Sequence, residues 1–223
     1  MANQNKIPLS QRMAVFQEAG LYLVTSEPLS AGRSTLTIIQ EALAGGVKLI
    51  QLREKEMAPR RFVEMAVEAR KLIHDAGAIL IINDRLDVAL ASGADGVHLG
   101  QDDFPPEYAR KIGPDLIIGV STHNIEEAVL AEKYGASYVN IGPVFPTKTK
   151  AYEGEYIGLD GISRISSHIS IPFTVMGGIK QENIPDLTAH GARTIAVVTA
   201  VTQADSPRVA AESLRRLILD TRK

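Results

Sequence analysis

Eight short apolar runs recur along the chain, and no other feature restricts its fold so tightly. They read LYLVT (21–25), VKLIQLR (47–53), ILIIND (79–84), GVHLG (96–100), LIIGVS (116–121), YVNIGP (138–143), FTVMGG (173–178) and TIAVVT (194–199). Each has strand length, most are rich in Val and Ile, and little polar alternation interrupts them. Parallel strands covered on both faces read this way. Segments of helical spacing separate them. Over 59–76, Phe62, Met65, Ala66, Ala69, Leu72 and Ile73 fall on one face. The segments 125–134 and 207–219 behave similarly. Gly20, Gly46, Gly77, Gly93, Gly135 and Gly191 each close a helical segment just before a strand, a place that suits a left-handed residue. Pro114 and Pro172 break the chain at two further entries.

Eight strands alternating with eight helical segments predict a (β/α)8 TIM barrel of the α/β class. The rival is a doubly wound open sheet. The barrel is favoured because the units number eight, no GxGxxG follows the first strand, and no edge strand is evident. A single domain is expected over 1–223, with a short helix in the N-terminal extension 1–20 packed at the base of a barrel spanning 21–220. The first residues are polar and mixed, unlike a signal peptide, and no apolar run approaches the roughly 20 residues that span a bilayer. With no cysteine, disulfides, thiolate metal sites and cysteine nucleophiles are excluded, and a cytoplasmic protein is expected. A formal net charge of −2 argues against a nucleic-acid surface, yet leaves room for a basic cleft around a small phosphorylated ligand.

In a barrel, chemistry belongs at the C-terminal ends of the strands, and here those ends are polar almost every time. Asp84 and Asp103 fall on neighbouring strand ends. Each alone suits a helix N-cap; together they suit a cation, and Mg²⁺ takes a few carboxylates with phosphate oxygens. Gln51 and Arg53 share one strand phase, so with Lys55 they would project together into the barrel mouth. Any one of them could equally be a solvated surface residue; opposite a metal, such cations suggest a diphosphate. Gly177-Gly178 after run seven and Val198-Thr199 after run eight stand where barrels hold phosphate on backbone N–H groups. A lone Gly-Gly is otherwise just a turn. Between the two sites lies GPVFPTKTK (142–150), dense in hydroxyls and amines.

The histidines say less. His98, inside a run, reads as a packed residue. His123, ending run five, reads as either a base or a hydrogen-bonding group near a helix cap. His74, His168 and His190 read as surface residues. No HxxxH or HExxH spacing supports zinc, and no GxSxG supports a nucleophile elbow.

Taken in order, QLREK, INDR, GVHLGQDD, GVSTHN, NIGPVFPTKTK and the late MGGI resemble the thiamine-phosphate synthase family over nearly the whole chain. That resemblance implies a transferase. It would join 4-amino-2-methyl-5-(diphosphooxymethyl)pyrimidine to a thiazole phosphate, carboxylated or not, giving thiamine phosphate and diphosphate by a Mg²⁺-assisted dissociative substitution. The partners are then two small phosphorylated substrates. The resemblance assigns Gln51, Arg53, Lys55, Asn83, Ser121 and Lys150 to the pyrimidine diphosphate, with Arg53, Ser121 and Lys150 as catalytic residues. It assigns Asp84 and Asp103 to Mg²⁺, and Thr147, Thr149, Gly178, Val198 and Thr199 to the thiazole phosphate. Thr199 stands where many relatives carry serine, and it keeps the hydroxyl. The segment 151–157, acidic through Glu153 and Glu155, is either a lid or a solvated loop.

Three rivals remain. A thiazole tautomerase would use His123 and no metal, which leaves Asp103, Pro146, Thr149 and Lys150 without a purpose. A regulatory thiazole-phosphate binder would have lost the metal ligands or cations. A sugar-phosphate isomerase barrel would explain the late phosphate site but not the metal-plus-cation cluster.

Overall fold

The computed structural model describes residues 7–147, 149 and 154–222. In chain order the elements are α1 (Leu9–Glu18), β1 (Leu21–Val24), α2 (Thr35–Ala44), β2 (Leu49–Leu52), α3 (Pro59–Asp75), β3 (Ile79–Asn83), α4 (Leu86–Ser92), β4 (Gly96–Leu99), α5 (Pro106–Ile112) and β5 (Ile117–Thr122). There follow α6 (Ile125–Lys133), β6 (Tyr138–Ile141), α7 (Gly158–Ser166), β7 (Phe173–Val175), α8 (Ile184–Ala189), β8 (Thr194–Val197), α9 (Thr199–Thr202) and α10 (Pro207–Thr221). The strands form a closed barrel in sequence order, every pair parallel, with Tyr22 of β1 opposite Ala196 of β8. The (β/α)8 expectation holds, and the open-sheet rival falls because β1 and β8 pair with each other.

Local chemistry accounts for the elements. Pro59 opens α3, where its missing N–H costs nothing, and Phe62, Ala66, Ala69 and Ile73 bury the inner stripe. The Ser34 hydroxyl accepts from Thr37 N to cap α2, and the Asn124 side chain accepts from Glu127 N to cap α6. All six glycines expected to end helices have positive φ. Most strands are shorter than their apolar runs. Run two pairs only as far as Leu52, run seven to Val175 and run eight to Val197. Past those points the chain leaves the ladder and turns its polar groups toward the mouth. Thr199, read from sequence as the end of strand eight, instead opens the short α9.

Two apolar layers result. One fills the space between strands and helices, with Ile38, Ile39, Phe62 and Leu80 among its members; the other lies inside the ring, with Leu49, Ile79, Ile81 and Ile117. Helix α1 closes the inner layer from below. The Phe16 ring lies 4.4 Å from the Tyr138 ring and 6.4 Å from that of Tyr22, centroid to centroid. Arg12 of the same helix is 3% exposed; its guanidinium donates to Asp95 O at 2.7 Å and Asp115 O at 2.5 Å. The Asp95 carboxylate accepts from Leu80 N and pairs with His74 Nε2 at 2.8 Å. His74 therefore helps to brace this end of the barrel, a contact its reading as a surface residue did not include. Among the described residues no helix is long and apolar enough to cross a membrane.

Phe16→Ala is expected to destabilise the protein by about 3–4 kcal/mol, the cost of emptying a close-packed aromatic site. Chemical denaturation followed by circular dichroism measures it; a loss under about 1 kcal/mol would show that the plug contributes little.

Candidate active site

The mouth of the barrel is assembled from strand ends, beginning with β2. Gln51 is buried at the end of that strand, and its Nε2 donates to the Tyr22 hydroxyl at 2.7 Å. Arg53 follows, half-buried. Its backbone N–H donates to the Thr25 hydroxyl at 3.0 Å. The next residue, Glu54, is buried and accepts from the hydroxyls of Thr25 (2.9 Å) and Thr35 (2.7 Å) and from Glu27 N (3.0 Å). Those three donors satisfy a carboxylate that would otherwise be costly to bury. Sequence gave Glu54 no task; it ties the backbone beside Arg53 to β1 and α2. Lys55, more exposed, reaches Asp84 at 3.7 Å. Lys55, Asn83 and Asp84 line a cavity of about 160 Å³ between the β2 and β3 loops.

Asp84 and Asp103 are brought together. Asp84 N donates to His98 O at 2.8 Å, continuing the β3–β4 ladder by one bond. Asp84 takes a left-handed backbone, φ 59°, rare for a residue with a Cβ. Neither aspartate caps a helix: α4 and α5 have Arg85 and Pro105 at their N-caps without a side-chain bond. Asp103 Oδ2 accepts from Gly100 N at 2.6 Å, folding its loop back on itself. Burial raises the Asp84 carboxyl above its ordinary range, and contact with the Asp103 carboxyl raises it further; Lys55 and Asn83 pull the other way. Two carboxyl groups in contact need a proton or a cation between them. The donor set fits a hard divalent cation that keeps its remaining positions for phosphate and water. No group of three or more acidic or histidine ligands occurs among the described residues.

Across the mouth, Ser121 at the end of β5 lies half-buried with its Oγ 2.9 Å from His98 Nε2. Gln101 Nε2 holds the Ser121 carbonyl at 2.6 Å. His98 is buried, as its place within a run suggests, and burial pushes its imidazole down to about 4, so the ring is neutral. Sequence did not reveal its contact with Ser121. His123 pairs through Nδ1 with Glu127 Oε2 at 2.8 Å, at the start of α6.

The loop after β6 is laid against the one after β7. Val144 N donates to Met176 O and Phe145 N to Gly177 O, at 2.9 and 3.1 Å. Gly178, at φ 63°, admits no side chain: a Cβ would overlap Pro146 O and meet the Phe145 side chain. Thr147 Oγ1 accepts from Thr149 N at 3.2 Å, so the two threonines form one small turn. Ile157 N and Gly158 N return to Pro143 O and Val144 O, stitching the far end of the loop to β6. Lys150 and residues 151–153, with Glu153, lie outside the described residues. Val198 and Thr199 begin α9, whose first N–H groups have no acceptor within so short a helix. Gly178 follows β7, and Val198 and Thr199 follow the neighbouring strand β8.

The family description "thiamine monophosphate synthase" matches residues 21–201. The thiamine-phosphate synthase of Chloroflexus aurantiacus is 47% identical, covering 91% of this chain and 94% of its own. That of Methanospirillum hungatei is 48% identical, covering 88% and 95%. Among solved structures, the thiamine phosphate pyrophosphorylase from Pyrococcus furiosus superposes with a TM-score of 0.85 at 38% identity, covering 92% of this chain and 98% of that one.

Because Asp84 keeps its proton to higher pH when folded than when unfolded, stability falls as pH rises from the ordinary carboxylate value through the folded one. Asp84→Asn keeps a side chain that tolerates positive φ. In chelator-treated protein it is expected to raise the melting temperature by about 2–4 °C near pH 7 and to change it little below about pH 3.5. A lower melting temperature near neutrality would refute the repulsion between the two carboxylates.

Proposed function

The chain belongs to the thiamine monophosphate synthase family, and from that premise we propose that it joins an aminopyrimidinylmethyl diphosphate to a thiazole phosphate, releasing diphosphate. The observation that carries this reading is the meeting of Asp84 and Asp103 beside Lys55, at the rim shared with Gln51 and Ser121. Gln51, Arg53, Asn83 and Ser121 hold the pyrimidine diphosphate. Asp84 and Asp103 would hold Mg²⁺, which when bound supplies positive charge to the leaving diphosphate. Lys55 adds a fixed cation on the same side, and Lys150 is proposed as a second. Thr147 and Thr149 place the thiazole ring, while Gly178, Val198 and Thr199 receive its phosphate on backbone N–H groups and one hydroxyl.

In the reaction the bond from the methylene carbon to the diphosphate oxygen breaks, and the thiazole nitrogen forms the new bond to that carbon. The protein's share is to align the rings, neutralise the departing charge and keep water away from an electron-poor carbon. Among the described residues, Lys55, Asn83 and Asp84 line a cavity at the strand ends, while Phe16 packs on Tyr138 at the other end of the barrel.

The test is diphosphate release from purified protein with Mg²⁺ and both substrates, each component omitted in turn. Equal amounts of thiamine phosphate and diphosphate are expected, only with everything present. Asp84→Ala is expected to lower turnover by about 100-fold or more with the fold intact by circular dichroism. Both ligands binding without any product would sink the synthase reading.

A further inference from the structure

A row of hydrogen bonds crosses the interior of the barrel beneath the mouth. Gln51 Nε2 donates to the Tyr22 hydroxyl at 2.7 Å. The Tyr22 and Tyr138 hydroxyls meet at 2.9 Å, Tyr138 meets His98 Nδ1 at 2.9 Å, and His98 Nε2 meets Ser121 Oγ at 2.9 Å. Tyr22, Tyr138 and His98 are all buried. The two residues at the ends, Gln51 and Ser121, are both among those assigned above to the pyrimidine diphosphate.

The row has a direction. Each phenol and the neutral imidazole have one proton to donate, so the polarity of one link fixes the rest. The Gln51 NH₂ can only donate. For every proton of the row to find an acceptor, Tyr22 then donates to Tyr138, and Tyr138 to His98 Nδ1. The imidazole proton therefore sits on Nε2 and points at Ser121 Oγ. Ser121 is left with its own proton and one lone pair for a ligand, and Gln51 with its second N–H and its carbonyl oxygen, which takes no hydrogen bond from the other described residues. The opposite polarity would make Ser121 donate to His98 and turn the Gln51 NH₂ to the ligand. Burial supports a single polarity, because no water can rewire the interior links and His98 stays neutral. Gly119 makes room for the junction: a Cβ there would overlap the Tyr138 ring and lie 2.5 Å from His98 Nδ1.

We propose that Tyr22, Tyr138 and His98 are positioning residues that fix Gln51 as acceptor and Ser121 as donor, so that the site selects a 4-aminopyrimidine over its 4-oxo counterpart. This rests on the substrate given under Proposed function. An aminopyrimidine offers N–H groups to Gln51 and a bare ring nitrogen to Ser121. The oxo ring offers a carbonyl and a ring N–H, the reverse pattern, and leaves the Ser121 proton and the Gln51 carbonyl oxygen without partners.

The experiment has two arms on the full chain. In the first, ¹⁵N NMR of histidine-labelled protein, with the His98 signals identified by their loss in His98→Asn, reads the tautomer. The Nε2–H form is expected in the free wild type, and Tyr138→Phe is expected to mix the two forms. An Nδ1–H wild type would overturn the polarity. In the second, kcat/KM is measured for the amino and oxo pyrimidine diphosphates. Tyr138→Phe is expected to lower the amino-to-oxo preference by about tenfold or more, with KM for the thiazole phosphate unchanged. A preference that stays intact while both pyrimidines slow equally would make the row purely structural and overturn the proposal. Tyr22→Phe breaks the same row one link earlier and serves if Tyr138→Phe does not fold. An Nε2–H tautomer in a wild type that turns over neither pyrimidine would instead overturn the substrate assignment, and the selectivity with it.

Discussion

Closure of the ring governs everything above it. The pairing of β1 with β8, Tyr22 opposite Ala196, leaves no strand with an unpaired edge. Once closed, the ring has only two openings, and the direction of its strands assigns them opposite roles. Every chain segment leaving a strand does so at the same rim, so residues as distant in sequence as Gln51 and Thr199 share one neighbourhood. The barrel wall is largely apolar on its outer side, where helices cover it, and several polar residues point inward near the rim. Gln51, His98, Ser121 and Asn140 occupy that position, each hydrogen-bonded.

Much of this was legible in the sequence, for physical reasons that differ by residue. The strands showed because burial on both faces demands near-continuous apolar runs. Asp84 and Asp103 showed because two acidic residues at neighbouring strand ends are hard to explain otherwise, and their carboxyls do meet. The tyrosine pair did not show. Tyr22 and Tyr138 look like ordinary strand residues, and their contact depends on the register of strands on different sides of the ring. His98 was read correctly as buried, but burial alone does not say what an imidazole touches. Arg12 gave no signal at all, since a basic residue in a polar N-terminal stretch looks solvated until the carbonyls of Asp95 and Asp115 close around it.

The site also shows how its charges are kept usable. Glu54 is fully engaged by three donors and is therefore a structural group. Asp84 is the contrary case: its cation partner among the described residues, Lys55, stands 3.7 Å away and is half-exposed, a pairing too weak to neutralise two carboxylates. The fold thus spends its good hydrogen-bond donors on the acid that must stay still and leaves the ligand-facing acids under-compensated.

The seating of α1 has a consequence for how the chain is made. This helix is synthesised before the strands it seals, and Arg12 reaches acceptors as far along the chain as Asp95 and Asp115, and Phe16 a partner as far as Tyr138. Its contacts are thus of high sequence separation, the kind that delays folding. The helix must wait, apolar side exposed, until Tyr138 has emerged, so the nascent chain is open to misassociation at the very element that later seals the barrel.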